Sequence, residues 1–298
     1  MLIGGLELKN RLCLAPLAGI TSLPVREFFT ELGAALTHTE MISCAGLIRD
    51  NAKTCDMLGT SEREGPLIIQ LFAPDSNILI YGAERAIKIC QKFSGLGINM
   101  ACPMPKITKN SCGAALLHKP ETAGEMVRGL KTLGYPVWVK IRRLEKDSDT
   151  LNFIETLANS GADNVCLHGR TASQRYEGLA DRNITRLAAE NFPGLISASG
   201  DVKSVNDIDE YLSFGCVAVM LARGAIANPF LFSDSVMRID ELIKFAKRAE
   251  ELCGEHKAVV LMKRFAGSVL RFAEGSADKR KRACTSTSLN EIIKILQE

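Results

Sequence analysis

Eight times along this chain a short apolar run rich in β-branched residues gives way to a longer stretch of helical period, and that repetition restricts the fold more than any single motif. The runs cover residues 12–19, 35–43, 66–73, 95–102, 136–142, 164–170, 194–201 and 218–224. Between them lie helical stretches such as 149–161, where Leu151, Ile154, Leu157 and Ala158 fall on one face and Gly161 follows as a stop signal. Near-continuous apolar strands are buried on both faces, as in a parallel sheet wrapped by helices. Eight such units predict an α/β fold of the (β/α)8 TIM-barrel class. At 298 residues the chain is longer than such a barrel, which takes about 250. From residue 238 the pattern is helical only, with Leu242, Phe245, Ala249 and Leu252, then Val259, Met262, Phe265 and Val269, at helical spacing. The expected division is therefore a barrel domain over 1–237 and a small C-terminal all-helical domain over 238–298.

Composition narrows the class by exclusion. With 46% hydrophobic and 24% charged residues the chain is globular and has material for a large core. Its ten cysteines lie scattered through apolar segments, the placing of reduced core thiols rather than a disulfide framework. No CxxC pair occurs, and His38, His118, His168 and His256 form no HxxxH pair, so no metal centre is expected. The start, MLIGGLELKNRLCLAPLAG, lacks a basic segment leading into an uninterrupted apolar one, and no run of about 18 apolar residues exists. The expected location is the cytoplasm, with no membrane contact and no obligate protein partner. Charge is uneven: residues 238–298 hold 13 Lys and Arg against 9 Asp and Glu, whereas residues 1–237 hold 24 against 25. An anionic partner is one reading of that excess, and a solvated helical face is the other.

In a barrel of this kind chemistry gathers at the C-terminal ends of the strands. Polar residues fall there in succession: Gln70 on the third strand, Asn99 and Cys102 on the fourth, Lys140 and Arg142 on the fifth, His168 and Arg170 on the sixth, Asp201 on the seventh and Arg223 on the eighth. The loops after the last two strands read Ser199-Gly200-Asp201 and Ala222-Arg223-Gly224, where glycine lets backbone N–H groups approach a phosphate. No GxGxxG or Walker A pattern supports a separate nucleotide-binding fold. A phosphate on that side, with Gln70, Lys140 and His168 pointing inward, suits FMN lying across the barrel top. A lysine beneath the ring would stabilise the charge of reduced flavin, although a structural ion pair also accounts for Lys140. On this reading alone, Cys102 before Pro103 is a core thiol, a metal ligand or a group that meets a substrate.

The stretches LAPLAGITSLPVR (14–26), TEMIS (39–43), QLF (70–72), INMACPMPKI (98–107), CGAALL (112–117), VKIR (139–142), HGRTASQRYEGLAD (168–181), SGDV (199–202), VMLARGAIANPFLF (219–232) and EHKAVVLMKR (255–264) run through nearly the whole chain. Taken in order, they resemble the dihydrouridine synthases, flavoenzymes that reduce uridine in RNA. The resemblance implies FMN contacts at Pro16, Leu17, Ala18, Gln70, Lys140, His168, Ser199, Gly200, Asp201, Ala222 and Arg223. It places Asn99 beside the substrate uracil, puts Arg170 and Tyr176 near the substrate, and makes Cys102 the general acid. The implied reaction sends a hydride from reduced FMN to C6 of uridine in tRNA and a proton from Cys102 to C5, with NADPH or NADH as the transient reductant. A thiol with an ordinary pKa of about 8.5 is protonated at neutral pH and donates without special tuning. Cys112 is expected to be structural. The base has to be unpaired or extruded to reach a barrel mouth, and Lys279, Arg280, Lys281 and Arg282 would meet RNA phosphates.

Three departures from the family pattern bear on substrate position: Ala101 stands where glycine is usual before the cysteine, Asn110 and Ser111 replace loop glycines, and Ser199 replaces an asparagine. Competing expectations are the same reaction on rRNA, reduction of a free pyrimidine by a barrel like that of dihydroorotate dehydrogenase, and a non-catalytic RNA-binding relative. The last is disfavoured by the presence of Cys102, Lys140 and His168 together.

Overall fold

The computed structural model describes residues 1–233, 236, 238–270 and 276–298, so residue 237 at the expected domain boundary and the start of segment 274–282 lie outside the described residues. An N-terminal hairpin, β1 (Leu2–Ile3) and β2 (Leu6–Glu7), precedes the barrel. The barrel strands are β3 (Leu12–Leu14), β4 (Thr37–His38) continued by β5 (Ile42–Ser43), β6 (Leu67–Phe72), β7 (Gly95–Met100), β8 (Val137–Arg142), β9 (Asn164–His168), β10 (Ile196–Ser199) and β11 (Ala218–Leu221). All their pairings are parallel, in the order β3-β11-β10-β9-β8-β7-β6-β4, and a parallel bridge between Cys13 and Leu36 closes the circle. Every expected strand is present. The (β/α)8 barrel is thus the observed architecture.

Helices α1 (Leu23–Leu32), α2 (Cys44–Ile48), α3 (Ala52–Asp56), α4 (Ser76–Ile89), α5 (Pro105–Thr108), α6 (Pro120–Lys131), α7 (Asp147–Asn159), α8 (Arg182–Asn191), α9 (Val205–Ser213) and α10 (Arg223–Ala227) lie between and after the strands. Local chemistry sets their ends. Asp75 caps α4 by accepting from the Ile78 N–H, Ser204 and Asp207 form a reciprocal capping box on α9, and α1 stops at Gly33, whose φ of 117° lies in the left-handed region. Helices α11 (Ile239–Cys253), α12 (Glu255–Val269), α13 (Ser276–Thr285) and α14 (Leu289–Gln297) follow. Among the described residues no helix is long and apolar enough to cross a membrane.

Strand residues alternate between the helical layer and the barrel axis. Leu67, Ile69 and Leu71 join the outer core, and Ile68 joins a second cluster with Ile3, Leu6, Leu8, Cys13, Trp138, Cys166 and Met220. The hairpin closes the barrel floor, where Trp138 donates its indole N–H to the Gly4 carbonyl (2.9 Å). The same parity carries Gln70, Asn99, Lys140, Arg142, His168 and Ser199 to the axis higher up. Register aligns them in tiers: Asn99 faces Lys140, Lys140 faces Cys166, and Arg142 faces His168, which faces Ser199.

Candidate active site

The site is built where those inward residues meet the βα loops. Gln70 and Asn99 are buried, and Asn99 Nδ2 donates to Gln70 Oε1 (2.9 Å). Asn99 Oδ1 accepts from the N–H groups of Ala101 (3.2 Å) and Cys102 (3.0 Å), so this side chain shapes the turn that presents the cysteine. Its oxygen is thereby committed to the loop, and its amide nitrogen, besides the bond to Gln70, donates to the weak acceptor Met41 Sδ (3.8 Å). The turn is buttressed from behind: Ala114 N–H donates to the Cys102 carbonyl (3.0 Å), and a Cβ on Gly113 would come within 2.7 Å of that carbonyl oxygen. Cys102 is half-buried, whereas Cys112 is buried and donates to the Asn110 carbonyl.

Lys140 shares a small central void with Gln70, His38, Cys166 and Met220. Among the described residues it has neither a carboxylate nor a hydrogen-bond partner, so the structural ion pair considered for it is not there. Burial, reinforced by nearby Arg142, pulls its pKa below the usual lysine range. His168 Nδ1 accepts from the Arg170 N–H (3.1 Å), which leaves Nε2 as the protonated nitrogen of a neutral ring. Burial, then the charges of Lys140, Arg142, Arg170 and Arg223, push His168 down to about 2. His168 lines a cavity of about 630 Å³ with Ser199, Gly200, Asp201, Ala222, Arg223 and Tyr176, among others. That volume is within the range of cofactor sites.

The back of this cavity is formed by two loops in close approach. Gly200, at φ 121°, has no room for a Cβ, which would sit 2.8 Å from Ala180 Cβ, and a Cβ on Gly224 would lie 1.9 Å from the Val202 carbonyl oxygen. Tyr211 donates to the Gly200 carbonyl (2.9 Å). Arg170 is 3% exposed and bonds both oxygens of Asp201 (2.8 and 2.7 Å), while Ala180 N–H donates to Asp201 Oδ2 (2.8 Å). These contacts hold the Asp201 carboxyl below the usual range despite its burial. Arg170, expected near the substrate, is therefore fixed within the wall. Tyr176 stands 56% exposed at the rim, with Arg223 Cζ 4.9 Å and Arg142 Cζ 5.7 Å from its ring centre.

Pro16, Leu17 and Ala18 lie in the loop after β3. Leu17 N–H donates to Thr21 Oγ1 (3.1 Å), Gly19 N–H donates to Glu40, and Arg264 of α12 donates to the Gly19 carbonyl (2.6 Å). The C-terminal helices thus reach the first loop of the mouth. Within the basic run of α13, Arg282 is bonded to both carboxylate oxygens of Glu298 (2.7 and 2.6 Å). Gly113 and Tyr211 escaped the sequence reading, and Gly224 was read only for the approach of a phosphate, not for its contact with the Val202 carbonyl. Each acts by contact with a residue outside its own turn, Cys102, Val202 or Gly200, which a local pattern does not show.

A model described as dihydrouridine synthase (Dus) matches residues 13–282. The chain belongs to the dihydrouridine synthase family. It is 32% identical over 252 residues to the probable tRNA-dihydrouridine synthase of Treponema pallidum (strain Nichols), covering 80% of this chain and 74% of that one. The probable tRNA-dihydrouridine synthase of Aquifex aeolicus (strain VF5) is 27% identical over 307 residues, covering 97% and 96%. Among solved structures, the dihydrouridine synthase barrel seen here resembles TcOYE with pHBA (TM-score 0.60, 11% identity, 79% and 91% covered) and morphinone reductase in complex with tetrahydroNAD (0.57, 13%, 78% and 87%). At such identities the likeness establishes the shared barrel alone.

Proposed function

We propose that this protein reduces uridine to 5,6-dihydrouridine in tRNA, using FMN as bound cofactor and NADPH or NADH as transient reductant. One observation carries the reading: His168 Nε2 and the buried Arg170 Nη1 at the cavity, and Lys140 in the small void that shares Met220 with it, offer donors without partners among the described residues, and Asp201, the wall's carboxylate, is engaged by Arg170. A buried cation without a counter-charge is costly, and an anionic ligand with several acceptors would relieve that cost. Gln70, Lys140 and His168 would hold the flavin ring, and the backbone of Ser199–Asp201 and Ala222–Arg223, with the Arg223 side chain, its phosphate. FMN bound there in its reduced form would supply hydride chemistry toward C6 of the uracil.

The chain's own residues do the remainder. Cys102, held half-buried by the Asn99 turn, donates the proton that C5 takes up as the enolate-like charge collapses. Asn99 Nδ2 would exchange its weak bond to Met41 Sδ for a uracil carbonyl, and Tyr176 offers a ring face for an extruded base. Phosphates would meet the exposed cations around the mouth and on α12 and α13, in keeping with the positive balance of residues 238–298. A tRNA substrate is consistent with a cytoplasmic location. The test is the absorbance spectrum of the purified protein, followed anaerobically with NADPH and then with unmodified bulk tRNA. Flavin bands that bleach and then return with tRNA are expected. Bleaching without return on tRNA overturns the substrate and directs the search to rRNA or a free pyrimidine. A protein that takes up no FMN on reconstitution overturns the mechanism.

A further inference from the structure

Arg142, at the end of β8, is 4% exposed and has no carboxylate partner among the described residues. Its guanidinium instead spans two loops. Nε donates to the Ala101 carbonyl (2.9 Å), the peptide that leads into Cys102, and Nη1 donates to the Thr171 carbonyl (2.9 Å) in the loop after β9. The latter loop also carries Tyr176, whose ring packs against the same guanidinium. Thr171 is itself tied into that loop, since its N–H donates to Gln174 Oε1 (2.9 Å). A buried arginine is ordinarily paired with an acid, because desolvating a lone charge is expensive. Bonds to two peptide carbonyls are a weaker recompense, and they are made where the chain places its proton donor beside its exposed aromatic ring.

We infer that Arg142 is a positioning residue: by clamping the Ala101 and Thr171 carbonyls together, it fixes the Cys102 turn relative to the Tyr176 loop, and so sets where the thiol meets a base that rests on that loop. The inference rests on the proposed reaction for its catalytic consequence but not for the clamp itself. Asn99 shapes the turn internally; Arg142 anchors that turn to the neighbouring loop. A lysine at 142 would keep the charge and yet could not span both carbonyls from one nitrogen.

The experiment compares Arg142→Met and Arg142→Lys with the unaltered full-length chain. In single-turnover reoxidation of the reduced holoenzyme at saturating tRNA, both variants are expected to react about 100-fold more slowly, the cost of misplacing a reacting group by about 1 Å. Half-saturation by tRNA should move less than about threefold in the same series. In a Cys102→Ala background, Arg142→Met should add less than about a twofold further loss, because it acts through the thiol. Additive losses, or a wild-type rate in Arg142→Lys, overturn the proposal in favour of direct substrate contact or of charge alone. Residue-resolved labelling with iodoacetamide tests the clamp without flavin or RNA. Cys102 should label about tenfold faster in both variants while Cys253 and Cys284 stay unchanged. Equal Cys102 labelling overturns the clamp even if the uridine reaction stands. If the protein reduces no RNA, the proposed function fails while the labelling still decides the clamp.

Discussion

Lys140 illustrates how a single side chain is kept at a cost to the empty protein. Its ammonium lies among Gln70, Trp138, Cys166 and Met220 with no acid to meet it. Replacing it with a methionine of similar length removes an uncompensated charge, so Lys140→Met should stabilise the FMN-free protein by about 1–2 kcal/mol in urea unfolding. The same variant should lose most of the extra stability that the unaltered chain gains on adding FMN. His38 makes a second test at this scale. It is 2% exposed, and burial, opposed by its bond from Nδ1 to the Leu14 carbonyl (2.8 Å) and aided by Lys140, holds it down to about 4. The unfolded chain binds this proton below about pH 6.5 and the folded chain does not, so the stability from a neutral His38 is complete above pH 6.5 and fades as pH falls toward 4. Between pH 7 and 5 that fading amounts to about 2 kcal/mol, and in His38→Gln the fall in unfolding free energy over this interval should shrink by that amount.

At the scale of elements, the loops after β10 and β11 meet with no space between them. A methyl at position 224 would overlap the Val202 carbonyl, and position 200 combines a positive φ with contact against Ala180. Gly224→Ala should therefore push the loops apart and weaken FMN binding at least about tenfold, read by quenching of FMN fluorescence, while Gly134→Ala, with nothing within 4 Å, serves as the control for a glycine that is merely in a turn. The same loops show how much was legible beforehand. Strand positions and their polar ends followed from period and composition, and parity then carried Gln70, Lys140 and His168 inward. Strand ends were read too long wherever the chain leaves the ladder to build the mouth. The second run splits because Thr39 Oγ1 accepts from the Gln70 N–H (2.9 Å) where a ladder bond would lie. The N-terminal hairpin was missed although its Gly4-Gly5 turn was in plain view between apolar residues. Arg142 could be placed at the mouth but given no task, since its partners Ala101 and Thr171 lie 41 and 29 residues away. Such pairings come from closure of the barrel, which a local pattern does not encode.

For the whole molecule, the question is whether the C-terminal helices are a separate unit of stability or part of the barrel. Topologically they follow it, yet their apolar face packs into the barrel's own outer layer. Phe245 of α11 stacks on Phe28 of α1 (centroids 4.5 Å, interplanar angle 17°), and Phe265 of α12 meets Phe28 edge-on at 6.0 Å and Phe29 at 6.1 Å. Around the ring cluster, Arg248 of α11 bonds both oxygens of the nearly buried Glu27 of α1 (2.9 and 3.1 Å). A face of this kind, once stripped of its partner, leaves large rings and an acid in water on the barrel side. We therefore propose that the two regions unfold as one. Trp138, the only tryptophan, sits 3% exposed at the barrel floor and makes its fluorescence a probe of the barrel alone. Phe245→Ala removes a ring 3% exposed on the other side of the expected boundary and should cost about 3–5 kcal/mol. If the core is common, the urea midpoint from Trp138 fluorescence falls by the full amount and stays coincident with that from helical circular dichroism. If the helices are an independent unit, the dichroism acquires an early phase and the tryptophan transition keeps its midpoint.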